Sequence, residues 1–355
     1  MKILFVTPYP NNEAPSQRFR FEQYLDDLRN RNDTVVQKSF LTHKSWRILY
    51  LPGNYIKKGW GVLSGFLKRF FLLFTLSKYD FIFIHREATP IGPSWWEWCA
   101  SKVFRKKIIY DFDDAIWLPN KSQQNNIAAR LKWHSKIGKI CKWSYKISCG
   151  NRYLADFAKQ YNPNVIVNPT TLDLDYQRHQ TKEHINKSVL TIGWTGSHST
   201  MKYLEAVIHP LRKLSQSIDF RFLIISNQKP IYTDTFIEFK KWSSQSEIDD
   251  LLHIDIGLMP LKNDQWTKGK CGFKALQFLS LGIPIVASPV GINESIVKLS
   301  KGGYLAGDEK EWIDGLTVLA NTVQKRIEMG KSGFDFIKKN YSVESNRNNF
   351  LGLFN

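Results

Sequence analysis

Lys268, Lys270 and Lys274 alternate with Gly269 and Gly272 in one short stretch of the 355-residue chain. Lysines bring positive charge and glycines let backbone amides come close to a ligand, so the combination suits an anion such as a phosphate. The stretch follows the apolar run Ile254 to Leu258 and opens Lys270 to Leu281, whose spacing is helical. Gly282 closes that helix, and Ile283 to Ala287 is a second apolar run. The order predicts strand, basic loop, helix, strand, with Gly272, Phe273 and Lys274 where the positive helix end and the ammonium groups converge. A βαβ unit whose basic loop is merely solvated has the same pattern.

A second turn of this kind lies at Ile192 to Thr200, between a strand and the helical Met201 to Leu214. Gly196 allows close approach to a diphosphate, Ser197 follows it, Ser199 or Thr200 is the candidate N-cap, and Lys202 sits on the first helical turn. Two glycine turns after strands of one domain point to a nucleotide more strongly than either alone.

The first half of the chain holds three polar clusters at predicted strand ends, the place where open α/β sheets bind ligands. Arg18 and Arg20 follow the first strand and can clamp a phosphate, or stand solvated on a helical turn. His85, Arg86 and Glu87 follow Phe81 to Ile84, and an aspartate cluster follows Lys107 to Tyr110. Asp113 or Asp114 can orient a hydroxyl or take its proton, which requires reach before a matched pKa. An Asp-x-Asp pair also suits a divalent ion, but the cationic side chains and two helix ends already supply phosphate electrostatics, so no metal is expected.

The net charge of +18 is uneven. Residues 1 to 170 hold 27 Lys and Arg against 12 Asp and Glu, the remainder 23 against 20. The field of the first half fits an anionic partner. Zinc-finger, ribonucleoprotein and basic-zipper patterns are lacking and the basic residues interleave with apolar runs, which favours a membrane surface over nucleic acid. In Trp46 to Leu76, Arg47, Lys57, Lys58, Lys68 and Arg69 mingle with Trp46, Trp60, Phe66 and Phe70 to Phe74. Its unbroken apolar run, Phe70 to Leu76, is far below the ~20 residues of a spanning helix. Two compatible readings remain, a helix lying in the lipid interface and a domain helix with a core face. Four cysteines without C-x-x-C or His spacing, and a start too short in apolar residues for a signal peptide, lead to the expectation of a reduced cytoplasmic protein with peripheral attachment to the inner membrane.

Apolar strands alternate with helical stretches throughout, the pattern of an α/β fold with parallel sheets. Strands are expected at Ile3 to Val6, Thr34 to Gln37, Phe81 to Ile84, Lys107 to Tyr110, Lys146 to Ser148 and Val165 to Val167. A second series runs through Val189 to Ile192, Arg221 to Ile225, Ile254 to Leu258, Ile283 to Ala287 and Gly303 to Leu305. This divides the chain into a first domain at 1–170, a polar linker at 171–187, a second domain at 188–340 and a terminal helix at 341–355.

Together these segments resemble family 4 glycosyltransferases, which have the two-domain GT-B fold: two Rossmann-like doubly wound domains facing a cleft. Gly282-Ile283-Pro284-Ile285-Val286-Ala287-Ser288 fits the family pattern, which places Gly269 and Gln277 where members usually carry two glutamates. Gln277 can still bind ribose hydroxyls through its amide. Trp194 stands at the family's phosphate-binding arginine and Lys202 at its lysine, so Lys270 or Lys274 is the candidate replacement cation. His85 resembles a family strand-end histidine, and the terminal helix is expected to cross back to the first domain. The resemblance implies a retaining, hexosyl-type transferase in cell-surface polysaccharide synthesis, with a nucleoside-diphosphate sugar as co-substrate, no further cofactor, and a glycan or lipid-linked acceptor. In such enzymes the leaving phosphate helps deprotonate the acceptor, so fixed positive charge carries most of the effect. A non-catalytic subunit that binds a sugar-nucleotide or a glycan, and a sugar-nucleotide epimerase on the same fold, are the alternatives.

Overall fold

A computed structural model describes residues 1–49, 51–119, 132–175 and 180–355. Position 50 of the Trp46 to Leu76 segment and positions 176–179 of the expected linker lie outside the described residues. The described chain forms two compact units, one of residues 1–170 and 346–355 and the other of 171–345.

The first unit is built on a parallel sheet of β1 (Lys2–Thr7), β2 (Thr34–Ser39), β3 (Phe81–His85), β4 (Lys107–Phe112), β5 (Lys146–Cys149) and β6 (Val165–Val167), in the order β2-β1-β3-β4-β5-β6. Central strands β1, β3 and β4 are buried nearly throughout, which is why they read as continuous apolar runs rather than as alternating ones. The order reverses between β1 and β3, so Thr7 and His85 end the two strands that flank the switch point. Phe350 and Phe354 of the chain's end join the core of this unit, Phe350 stacked on Tyr24 with centroids 4.5 Å apart and Phe354 beside Phe5 and Phe83. Arg347 pairs with Asp27 at 2.9 Å at the rim of this contact.

The second unit carries β7 (Leu190–Thr195), β8 (Phe220–Ser226), β9 (Ile237–Lys241), β10 (Ile256–Met259), β11 (Ile285–Ala287) and β12 (Gly303–Leu305). Its sheet is parallel in the order β12-β11-β10-β7-β8-β9, the arrangement of dinucleotide-binding folds, with the reversal between β7 and β10. Strand β9 is absent from the sequence-based assignment. It is a half-exposed edge strand, Ile-Glu-Phe-Lys-Lys, whose charged residues hide its alternation. The helix expected from Lys270 starts instead at Phe273, because Gly272 adopts φ +68° and breaks the turn; a separate short helix, Gln265–Lys268, precedes it.

Part of the expected linker is anchored. Lys182 and Lys187 both pair with the buried Asp255, at 3.2 and 2.8 Å, and the Lys182 amide donates to the Leu281 carbonyl at 2.7 Å. Arg69, one of the basic residues of the Trp46 to Leu76 segment, is fully buried. Its guanidinium donates to the carbonyls of Thr7, Lys38 and Ala88 at 2.7, 3.1 and 2.8 Å, and burial pulls it down to about 9, still charged at neutral pH.

Candidate functional site

In the second unit the two glycine turns meet at one ammonium group. Strand β7 ends at Thr195, and Gly196 turns the chain toward the helix His198–Met201, with Ser197 rather than Ser199 or Thr200 as its N-cap. The Thr200 hydroxyl donates to the Ser197 carbonyl at 3.0 Å and accepts from Lys274 Nζ at 3.1 Å. Lys274 rises from the first turn of the helix Phe273–Ser280, and its Nζ lies 4.4 Å from the centroid of the Trp194 ring. The ammonium reaches so close to Gly196 that a Cβ there would overlap it, and would stand 2.6 Å from Trp194 Cζ2.

Burial first, and the neighbouring Lys270 charge second, pull Lys274 down to about 7. Among the described residues no carboxylate pairs with it. The Trp194 face favours a cation but does not neutralise it. First-turn amides of the helix behind Lys274 have no acceptor within that helix, and the helix dipole adds positive potential. The place therefore combines a desolvated cation with helix-start amides, a setting of positive potential.

Gly272 opens this helix in the left-handed region, and a Cβ there would lie 2.6 Å from Ile296 Cδ1. Beside it is Asn293, fully buried with neither amide atom hydrogen-bonded, a residue the sequence reading missed because one Asn in a helix start carries no signal. Gln277 is buried on the same helix, and Phe273 is half-buried. Lys270 stands 5.5 Å from the Trp266 ring centroid. Lys202 does not share the Lys274 seat: it is exposed, with its ammonium 5.3 Å from the Tyr203 ring centroid.

The first unit gathers its polar residues differently from the sequence-based expectation. Arg20 is not a phosphate clamp. It is fully buried, paired with Asp111, and donates to the Asn168 carbonyl and to Ser148 Oγ, the last at 3.2 Å. His85 is buried as well, its Nδ1 2.7 Å from Asp111 Oδ2, its ring 5.5 Å from Phe21 and its Nε2 enclosed with no partner. Burial opposes ionisation of Asp111, but Arg20 and His85 outweigh it and hold the carboxyl below the usual range. Asp111, inside the strand rather than at its end, is thus the hub of the cluster, and the sequence reading passed over it in favour of its neighbours.

Arg86 takes φ +58° and forks onto both expected aspartates, Nε to Asp113 at 2.7 Å and Nη2 to Asp114 at 2.8 Å. Burial opposes ionisation of Asp113, and the Arg86 charge more than reverses it, leaving the carboxyl lowered. A carboxylate so held is a poor proton acceptor and a good hydrogen-bond anchor. Glu87 pairs with the buried Lys136 at 2.6 Å, and Arg18 lies with its guanidinium 5.0 Å from the Phe19 ring centroid. Among the described residues no group of three His, Cys, Asp or Glu is placed to hold a metal ion.

The chain matches no protein-family model and no curated protein. Its likeness is to solved structures. Sucrose-phosphate synthase from Thermosynechococcus elongatus aligns with a TM-score of 0.73 at 10% identity, covering 100% of this chain and 98% of the other. The Anabaena protein HepE in complex with UDP aligns with a TM-score of 0.66 at 13% identity, over 99% of each chain. The catalytic domain of starch synthase IV from Arabidopsis thaliana, bound to ADP and acarbose, aligns with a TM-score of 0.66 at 10% identity, over 99% and 98%. This chain has the GT-B fold of these proteins, two Rossmann-like α/β units in a single polypeptide.

Proposed function

We propose that the chain is a glycosyltransferase that moves a hexosyl group from a nucleoside-diphosphate sugar to a glycan or lipid-linked acceptor. The observation that carries this reading is the seat of Lys274, a desolvated ammonium without a carboxylate at the switch point of a dinucleotide-type sheet. A diphosphate supplies the missing negative charge, and the solved structures of HepE and of starch synthase IV hold UDP and ADP respectively.

In this reading the anomeric C–O bond to the diphosphate breaks and a C–O bond to the acceptor hydroxyl forms on the same face of the sugar. The acceptor proton passes to an oxygen of the departing diphosphate. Lys274, Lys270 and the helix amides stabilise the charge that develops there. Asp113, held ionised by Arg86, and Asp114 on the same guanidinium orient the acceptor, in keeping with retention of configuration. We assign the work to cell-surface polysaccharide synthesis at the cytoplasmic face of the inner membrane, on the basic balance of residues 1–170 and their interleaved aromatic residues.

Calorimetry of the purified protein with common nucleoside diphosphates, followed by mass spectrometry with the matching sugar donors, tests this. Binding of one of them, and slow hydrolysis or transfer of its sugar, is the expected outcome. Donor binding with no hydrolysis and no transfer to any acceptor would establish the non-catalytic subunit suggested by Gly269 and Gln277 instead.

A further inference from the structure

The helix Tyr55–Leu73 has two faces of opposite character. Gly61, Gly65, Arg69 and Leu72 recur at helical spacing and are buried. Gly65 lies so close to Phe40 that a Cβ there would be 2.6 Å from its Cζ, so the helix packs flush. Arg69 fastens it to the carboxyl ends of β1 and β2, and its own carbonyl accepts from Trp96 Nε1 at 2.8 Å. The opposite face carries Ile56, Trp60, Leu63, Leu67, Phe70 and Phe74, alternating by four and three positions, all exposed, with Ile56 at 90% and Trp60 at 68%. Tyr55 and Phe71 widen the stripe. Scattered apolar side chains are ordinary on a soluble surface, but an unbroken stripe along a clamped helix marks a contact surface.

Charge decides what the stripe contacts. Between Asp33 and Asp80 there are eight Lys and Arg residues and no Asp or Glu. Lys57 and Lys68 are exposed on the helix itself. With Arg69 spent on backbone carbonyls, seven cations and no acid remain, and a broad apolar stripe in a field of one sign matches an anionic lipid surface, which offers acyl chains beneath a uniform layer of negative charge. No helix among the described residues is long and apolar enough to cross a membrane, so the fit is to lie in the plane. We infer that the Ile56–Phe74 face is a preformed docking surface for anionic lipid headgroups and the acyl region beneath them. Because the helix is already clamped, docking orders little new structure and its cost is low. This deepens the membrane part of the reading above and is independent of the transfer chemistry.

The test uses the full chain and sedimentation with vesicles of phosphatidylglycerol and phosphatidylcholine, against vesicles of phosphatidylcholine alone. Affinity is expected to be at least about tenfold higher for the anionic vesicles and to fall at high salt. Two double variants, Trp60→Ser with Phe71→Ser and Lys57→Glu with Lys68→Glu, are each expected to lose about tenfold or more in vesicle binding. Their nucleoside-diphosphate affinity and thermal midpoint report on folding and are expected to stay as in the parent. Undiminished vesicle binding by the folded aromatic variant overturns the inference. So does a protein that ignores vesicles and forms a dimer broken by the same variant, which would give the face to a second copy.

Discussion

The Lys274 ammonium rests on the Trp194 ring at 4.4 Å, with the Thr200 hydroxyl 3.1 Å away on its other contact. The indole stands near the end of strand β7, and the cation arrives from the helix Phe273–Ser280 to stand over it. This arrangement is costly without an anion, since burial and Lys270 both disfavour the charged form.

Lys274→Met keeps the length and removes the charge. It is expected to weaken nucleoside-diphosphate binding about 10- to 100-fold, in line with loss of one charge-assisted contact. Thermal stability is expected to hold or rise at neutral pH, because a desolvated cation without an acidic partner is removed. Calorimetry and a melting curve measure both. A variant that binds as the parent does would place the diphosphate elsewhere.

Protonation of Lys274 links binding to pH. Its folded value of about 7 lies below the 10.5 of the unfolded chain, so the unfolded state holds more protons between those values. The destabilising contribution is therefore complete below pH 7 and fades as pH rises toward 10.5. A diphosphate favours the charged form, so binding takes up a proton when the free site is neutral. Affinity is expected to decline from pH 7 to 9, and calorimetry in buffers of different ionisation enthalpy should detect the proton. Lys274→Arg is expected to flatten that decline.

Gly196 and Gly272 separate space from backbone. A Cβ on Gly272 meets both a left-handed φ and Ile296, so Gly272→Ala is expected to lower stability by about 1–3 kcal/mol. A Cβ on Gly196 meets chiefly the mobile end of Lys274 and the rim of Trp194. Gly196→Ala is thus expected to lose affinity with a smaller loss of stability. Denaturant melts paired with calorimetry distinguish the two; equal stability losses would show that Gly196 is only a packing position.

Much of this was legible in the sequence. Buried parallel strands leave runs such as Ile3 to Val6 and Phe81 to Ile84 that nothing else explains, so most strands and the α/β class could be assigned. The edge strand Ile237–Lys241 could not, because its exposed charges mask the alternation. In the candidate site, the neighbouring turns of Gly196 and of Gly272 with Lys274 were legible through the glycine and lysine spacing. Arg20 and His85 misled because sequence displays a polar group but not its partner: both are buried against a single aspartate. Asp111 was hidden for the same reason, as one acid among three.

Asp111 anchors the first unit, and removing it leaves Arg20 buried without its counter-charge. Asp111→Asn is expected to cost about 3–5 kcal/mol, the usual loss when one partner of a buried pair goes. Its lowered folded pKa means that the stabilising contribution is present above the unfolded carboxylate range and is lost as pH falls. The parent should lose stability on acidification more steeply than the variant. Parallel acid titrations of the two would contradict this assignment.

Asp113 is the position where acceptor chemistry and electrostatics can be separated. The Arg86 fork keeps it ionised, so it cannot serve as a base with a pKa near neutrality, yet it can hold an acceptor hydroxyl. Asp113→Asn is expected to lower the rate of transfer about 10- to 100-fold while leaving nucleoside-diphosphate affinity within about twofold, since it alters neither Trp194 nor Thr200, the two contacts of Lys274. The pH–rate profile of the parent should show no limb assignable to Asp113 above the ordinary carboxylate range, and the variant should keep the parent's profile at reduced height. A limb near neutrality that vanishes in Asp113→Asn would identify a protein base after all, and would remove the argument that the departing diphosphate receives the proton.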